Sequence, residues 1–156
     1  MRPPSADLRE LFANTTLKVL PEDYVVIYLP PETNPLPPEW YDPANTRFAV
    51  VIRETEKLVM VMPRRKWLSM QSIFDRYEVD GPFRVIDLAI DPGKPISGYL
   101  TQIGAVMTEA RIRTFPISSF RRNHLLVNKP DLPRTVKALR VFFESCKSAG
   151  NKPGKK

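Results

Sequence analysis

The chain has 156 residues, one cysteine and one histidine, with 42% hydrophobic and 26% charged residues. That is enough for one compact domain, or two half-sized units sharing a sheet, burying roughly 70% of the unfolded surface. One cysteine excludes an internal disulfide framework, Cys plus a lone His cannot build a four-ligand zinc site, and no apolar run approaches the ~20 residues of a membrane-spanning helix. Met1-Arg2-Pro3-Pro4 lacks an apolar signal core, so a cytoplasmic or nuclear location is expected. Charge is uneven. Residues 1–110 hold 12 Lys/Arg against 15 Asp/Glu and residues 111–156 hold 12 against 2, and these nets of −3 and +10 make up the formal +7. The asymmetry fits either an anionic partner or a solvated basic surface ending in a tail.

Residues 1–16 read as a flexible, polar start, with at most a helical turn or two at Asp7–Phe12. Leu17–Leu20 predicts a short strand stopped by Pro21. Tyr24–Leu29, β-branched and aromatic between polar and proline boundaries, predicts a buried strand. Six of the 17 prolines fall between Pro30 and Pro43, so that stretch reads as a loop with one turn at Pro38–Tyr41. Trp40 there is a cap over the core or a ligand platform. Phe48–Arg53 and Leu58–Met62 predict a hairpin across Glu54–Lys57. Pro63–Trp67 reads as a turn whose basic triplet is either solvated or a phosphate contact. Ile73–Val79 predicts a strand, and Asp80-Gly81-Pro82 a turn and the internal boundary.

Phe83–Ile90 predicts a strand and Asp91–Pro95 a loop. Ser97 is the expected cap of a helix in which Leu100, Ile103, Val106, Met107 and Ala110 recur at helical spacing. Thr114–Phe120 and His124–Val127 predict strands around a basic turn, Arg121-Arg122-Asn123. Asp131 is the expected cap of a second helix with apolar stripe Leu132, Val136, Leu139 and Phe143. Arg134, Lys137 and Arg140 fall on another face of it. The order strand–helix–strand–strand–helix is the ferredoxin-like split pattern without its last strand. Either Leu17–Leu20 fills the gap or a second copy of the chain covers the edge as a two-fold dimer.

Three motifs carry a family likeness: Gly81-Pro82-Phe83, Ile96-Ser97-Gly98, and Phe115–Phe120 leading to His124–Val127. Together they resemble the second unit of tandem ACT-domain proteins, the amino-acid-sensing modules related to the CASTOR-type arginine sensors. Leu17–Leu20, Tyr24–Leu29, Pro37–Trp40 and the Phe48–Met62 hairpin resemble the shorter first unit. The resemblance implies an α/β (α+β) fold of two ferredoxin-like ACT units (βαββαβ) side by side, the second lacking its own last strand. The expected divisions are 17–81 and 82–147, with 148–156 a basic disordered tail. It also implies a small-molecule ligand held at the unit interface by Ile96, Ser97, Gly98, Ser119, Phe120, Arg121 and Asn123. Gly98 serves either close approach to a ligand or close packing of helix on sheet.

The chain departs from that pattern at two acids. Asn123 stands where the family commonly has Asp, and Ile96 where the arginine sensors have Glu. Arg121 and Arg122 place positive charge nearby, so the expected ligand is anionic or neutral rather than arginine; a degenerate pocket serving only assembly remains the other reading. Catalysis is not expected: His124 and Cys146 belong to no recognisable motif, Asp87 and Asp91 are not side by side, and no P-loop, Rossmann or HExxH pattern is present. No cofactor or metal is expected. The alternative to ligand sensing is a nucleic-acid-binding or pure protein-interaction module, with Arg122, Arg134, Lys137 and Arg140 as the basic surface for an anionic partner. A homodimer or a partner protein completes the expectation.

Overall fold

A computed structural model describes residues 3–33, 46–90, 97–119 and 122–150. The chain divides into two compact units: Pro21–Phe83 forms a continuous unit, and a discontinuous unit joins the chain up to Leu20 with the chain from Arg84 onward.

The continuous unit contains β2 (Tyr24–Leu29), β3 (Val50–Arg53), β4 (Leu58–Pro63), α2 (Arg64–Met70) and the first half of β5 (Glu78–Ala89); α1 and β1 belong to the other unit. Its antiparallel strands lie in the order β3-β4-β2-β5. Numbered within the unit that is 2-3-1-4, the ferredoxin-like order. Val25, Ile27, Leu29, Leu58, Met60 and Met62 pack one sheet face against Trp67 and Met70 of α2. Trp67 stacks on Phe74 at 5.6 Å and meets Tyr77 edge-on at 4.9 Å. The expected turn at Pro63–Trp67 is therefore the start of a helix. Three cations in a first helical turn oppose the helix dipole, but burial of Trp67 outweighs that small electrostatic cost. The expected strand at Ile73–Val79 is displaced: Gln71–Ile73 is a 3-10 turn, and strand begins only at Glu78.

The expected turn at Asp80-Gly81-Pro82 is also corrected, because β5 runs straight through it. Pairing with β2 shifts register between Tyr24 and Val26, opposite this point. Gly81 has φ +135°, which favours glycine, and a Cβ there would crowd the Tyr24 carbonyl oxygen at 3.1 Å. The glycine that reads as a turn signal accommodates an irregularity inside a strand.

The discontinuous unit contains α1 (Ala6–Asn14), β1 (Thr16–Val19), the second half of β5, α3 (Tyr99–Glu109), β6 (Thr114–Ser118), β7 (Arg122–Asn128) and α4 (Leu132–Gly150). Its strand order is β1-β5-β7-β6. β1 runs antiparallel to β5 with Leu17 opposite Leu88 and Val19 opposite Ile86. The missing last strand is thus supplied from the N-terminal side of the chain, as the first of the two expectations had it.

Residues 1–16 are not merely a flexible start. Ser5 accepts a hydrogen bond from the Leu8 backbone N–H at 3.3 Å and caps α1, which buries Leu8, Leu11 and Phe12. Phe12 is fully buried among Tyr99, Phe142 and Phe143, with ring centroids 4.7, 4.8 and 6.0 Å away. Burying such a side chain contributes about 1.5–3 kcal/mol. α4 also continues beyond the expected boundary at 147, to Gly150.

Candidate functional site

The start of α3 and the β6–β7 turn lie at one end of the discontinuous unit's sheet. β5 ends at Ala89, β7 begins at Arg122, and Arg122 Nη1 reaches Asp87 Oδ2 at 2.6 Å, which brings the two strand ends together. Of the expected ligand-binding residues, Ile96, Phe120 and Arg121 lie outside the described residues, as does Trp40. Ser97, Gly98, Ser119 and Asn123 are described.

Ser97 does not cap the helix. The N-cap is Gly98, in the left-handed conformation with φ 92° and ψ 0°, so the cap residue has no side chain to bond to the first turn of α3. A Cβ at Gly98 would meet only Leu8 Cδ1, at an ordinary 3.5 Å. Crowding thus does not require this glycine, whereas its positive φ does. At the turn, the Ser119 backbone N–H donates to the Arg122 carbonyl at 2.9 Å, and Ser118 Oγ donates to Asn123 Oδ1 at 2.7 Å. Asn123 is buried and shares strand parity with the core residues Leu125 and Val127, so it faces the helices.

Arg122 and His124 alternate to the opposite face, and this separates residues that the sequence places side by side. Asp87, 7% exposed, accepts from Arg122, while its Oδ1 lies 3.7 Å from His124 Nε2. The positive charge of Arg122 is therefore answered by Asp87 instead of being directed at the start of α3. Burial pushes the His124 pKa below its ordinary value, the Arg122 charge adds to that effect, and Asp87 and the Ile117 backbone oppose it. At neutral pH the imidazole is uncharged, so its approach to Asp87 is not an ion pair. Asp87 is the residue sequence reasoning undervalued. Its signal was an acid inside the apolar run Val85-Ile86-Asp87-Leu88, a placement that demands a partner on a neighbouring strand.

The remaining basic candidates sit elsewhere. Arg134 Nη2 donates to the Ala110 carbonyl at 2.8 Å, at the end of α3, and Nη1 pairs with Asp131 at 3.2 Å. A guanidinium there complements the negative end of the helix dipole. Lys137 lines a groove between α3 and α4, whereas Arg140 is exposed on α4 away from the lining. A second cleft, in the continuous unit, has charges that pair internally: Lys57 with Glu78 at 3.9 Å and Arg76 with Glu32 at 3.4 Å.

Cys146 is buried beside Phe142 and Phe143, and burial raises its thiol pKa, which suits packing and disfavours a thiolate. Burial likewise pushes the Tyr99 hydroxyl up to about 12, against a hydrogen bond with Thr15 that lowers it. Among the described residues there is no group of three or more His, Cys, Asp or Glu side chains able to hold a metal ion, and no helix long and apolar enough to cross a membrane.

No protein-family model matches the chain, and comparison with curated proteins finds no match. Solved structures do match. A protein of unknown function from Vibrio cholerae, described as a possible transport protein, aligns with TM-score 0.64 and 20% identity over 87% of this chain and 95% of its own. A protein from Agrobacterium tumefaciens aligns with TM-score 0.60 and 22% identity over 83% and 89%. The regulatory subunit of aspartate kinase from Thermus thermophilus, in its ligand-free form, aligns with TM-score 0.59 and 4% identity over 82% and 97%. The fold is ACT-like. At these identities the likeness concerns architecture alone, and it reaches both units.

Proposed function

We propose that this chain is a non-catalytic regulatory module that binds an amino acid or a related anionic or neutral metabolite where α3 begins. The observation that carries this reading is Gly98. Its left-handed backbone opens α3 with no side-chain cap among the described residues, and backbone N–H groups at such a helix start suit a carboxylate. Asn123, buried on the same face of the sheet at the same end, adds an amide able to donate and accept. Ser97, Ser119, Ile96, Phe120 and Arg121 complete the proposed site. Capture of the ligand shifts the balance between two arrangements of the protein, of its homodimer or of its complex with a partner. Similarity to aspartate kinase regulatory subunits supports a sensing role without naming the effector.

The test is thermal unfolding against the twenty amino acids, small dicarboxylates and nucleotides. A ligand at a hundred times its Kd adds about 2.7 kcal/mol and raises Tm by several degrees. The expected result is a shift from one compound that disappears in Gly98→Ala and Asn123→Ala. A shift that survives both substitutions moves the site elsewhere, and a flat panel removes the sensing role.

A further inference from the structure

α3 and α4 leave an open groove of about 570 Å³ between them, at the end of α3 and independent of the site proposed above. Its floor is apolar: Val106, Ile112 and Phe142 are buried in it, with Ala138 between. At its lip stands Val141, 63% exposed, more than any other large hydrophobic side chain among the described residues. α4 presents two rows with a spacing of four residues, Arg134-Ala138-Phe142 and Lys137-Val141-Ser145, each starting from a cation. One acid, Glu109, lines the α3 side. Outside the lining, Arg111 and Arg113 are exposed on either side of Ile112, and Arg140 is exposed on α4.

An apolar channel between two helices, with Lys137 at its lining and exposed Arg111, Arg113 and Arg140 on the flanking segments outnumbering Glu109, is complementary to a helix with one apolar and one acidic face. We propose that this groove docks an acidic amphipathic helix of a partner protein. A second copy of the chain is a poor occupant, because no described helix supplies such a face. α1 buries its apolar side within its own unit, α2 opens with Arg64-Arg65-Lys66, α3 carries one acid, Glu109, and α4 is itself basic. Arg134 is already engaged by the Ala110 carbonyl and Asp131, so Lys137 is the lining cation that meets an incoming carboxylate. Val141 is the apolar anchor, covered only when the groove is filled.

The probe is a fluorescein-labelled amphipathic helix of leucine and glutamate, titrated by fluorescence polarisation beside the same peptide with lysine at every glutamate. The intact chain is compared with Lys137→Glu and Val141→Glu, both at exposed positions, with circular dichroism and Tm confirming an unchanged fold. The glutamate peptide is expected to bind, the lysine peptide to bind at least about tenfold more weakly, and each substitution to weaken the glutamate peptide about tenfold. Absence of binding by the glutamate peptide, equal binding of the two peptides, or indifference to both substitutions overturns the proposal. So does a sedimentation result in which Val141→Glu dissociates a dimer of the chain, which makes a second copy the occupant. Binding of a uridine oligonucleotide with the same sensitivity to the variants, without binding of the peptide, assigns the groove to nucleic acid and also overturns it.

Discussion

In the continuous unit the last position of the sheet is filled by Glu78–Phe83, the strand that follows α2. In the discontinuous unit the same position is filled by Thr16–Val19, which precedes every other strand of the chain. Both units arrive at the same strand order. A buried sheet edge needs backbone partners, and a strand with the right alternation meets that need wherever it lies in the chain. The cores differ as well. The continuous unit packs aliphatic residues and methionines beneath Trp67, while the discontinuous unit is built around Phe12 and its aromatic neighbours. Long-range dependence therefore falls on one unit only, whose folding requires both ends of the chain.

Deleting residues 1–20 is the most direct way to break this comparison, and it carries the largest expected effect. The deletion removes β1 together with Leu8, Leu11 and Phe12, so amides of β7 and α4 should lose their protection in hydrogen exchange while those of β2 and β4 keep theirs. Retained protection throughout would show that the borrowed strand is dispensable. A smaller effect separates the two cores. Phe12→Ala should cost about 3–5 kcal/mol in urea unfolding, whereas Met60→Ala, in a core of flexible side chains better able to collapse, should cost about 2–3 kcal/mol. Equal costs would remove the distinction.

The smallest effect concerns pH and tests the charged face of the discontinuous unit. Burial holds the His124 pKa below its ordinary value, so over that interval the folded protein binds fewer protons than the unfolded chain. Its contribution to stability is present above the ordinary value and is lost as pH falls toward the lowered one. Tm should accordingly decline as pH falls through and below the ordinary histidine value of about 6.5, less steeply in His124→Gln. Asp87, Arg122 and the Ile117 backbone all act on this imidazole. An identical slope in the variant would assign the decline to other groups.

Legibility in the sequence followed the physics of each segment. Tyr24–Leu29, the Phe48–Met62 hairpin and the α3 and α4 stripes were readable because apolar spacing alone specifies them. α2 was not, since its cations argue against a helix start and only contact with the sheet makes burial of Trp67 decisive. The Gly81 reading failed because a positive φ serves a turn and a strand irregularity equally well. In the candidate site, Gly98 was visible as a special residue, but its reason, a strained helix entry without crowding, required coordinates. The pairing of Arg122 with Asp87 was not legible for a simpler reason. Adjacent strand residues point to opposite faces, so sequence neighbours such as Arg122 and Asn123 need not share a site.

The sequence by itself determined the α/β class, the basic bias of the C-terminal part and the likeness to ACT units, because periodicity, composition and short motifs are local properties. Only the tertiary structure decided that β1 pairs with β5, that α1 is part of a core, that Asp87 receives Arg122, and that α3 and α4 leave an open groove. Each of these joins residues far apart in the chain. Their contact energies exist only after the chain has closed the loops between them, and local sequence carries no record of which partner will be there.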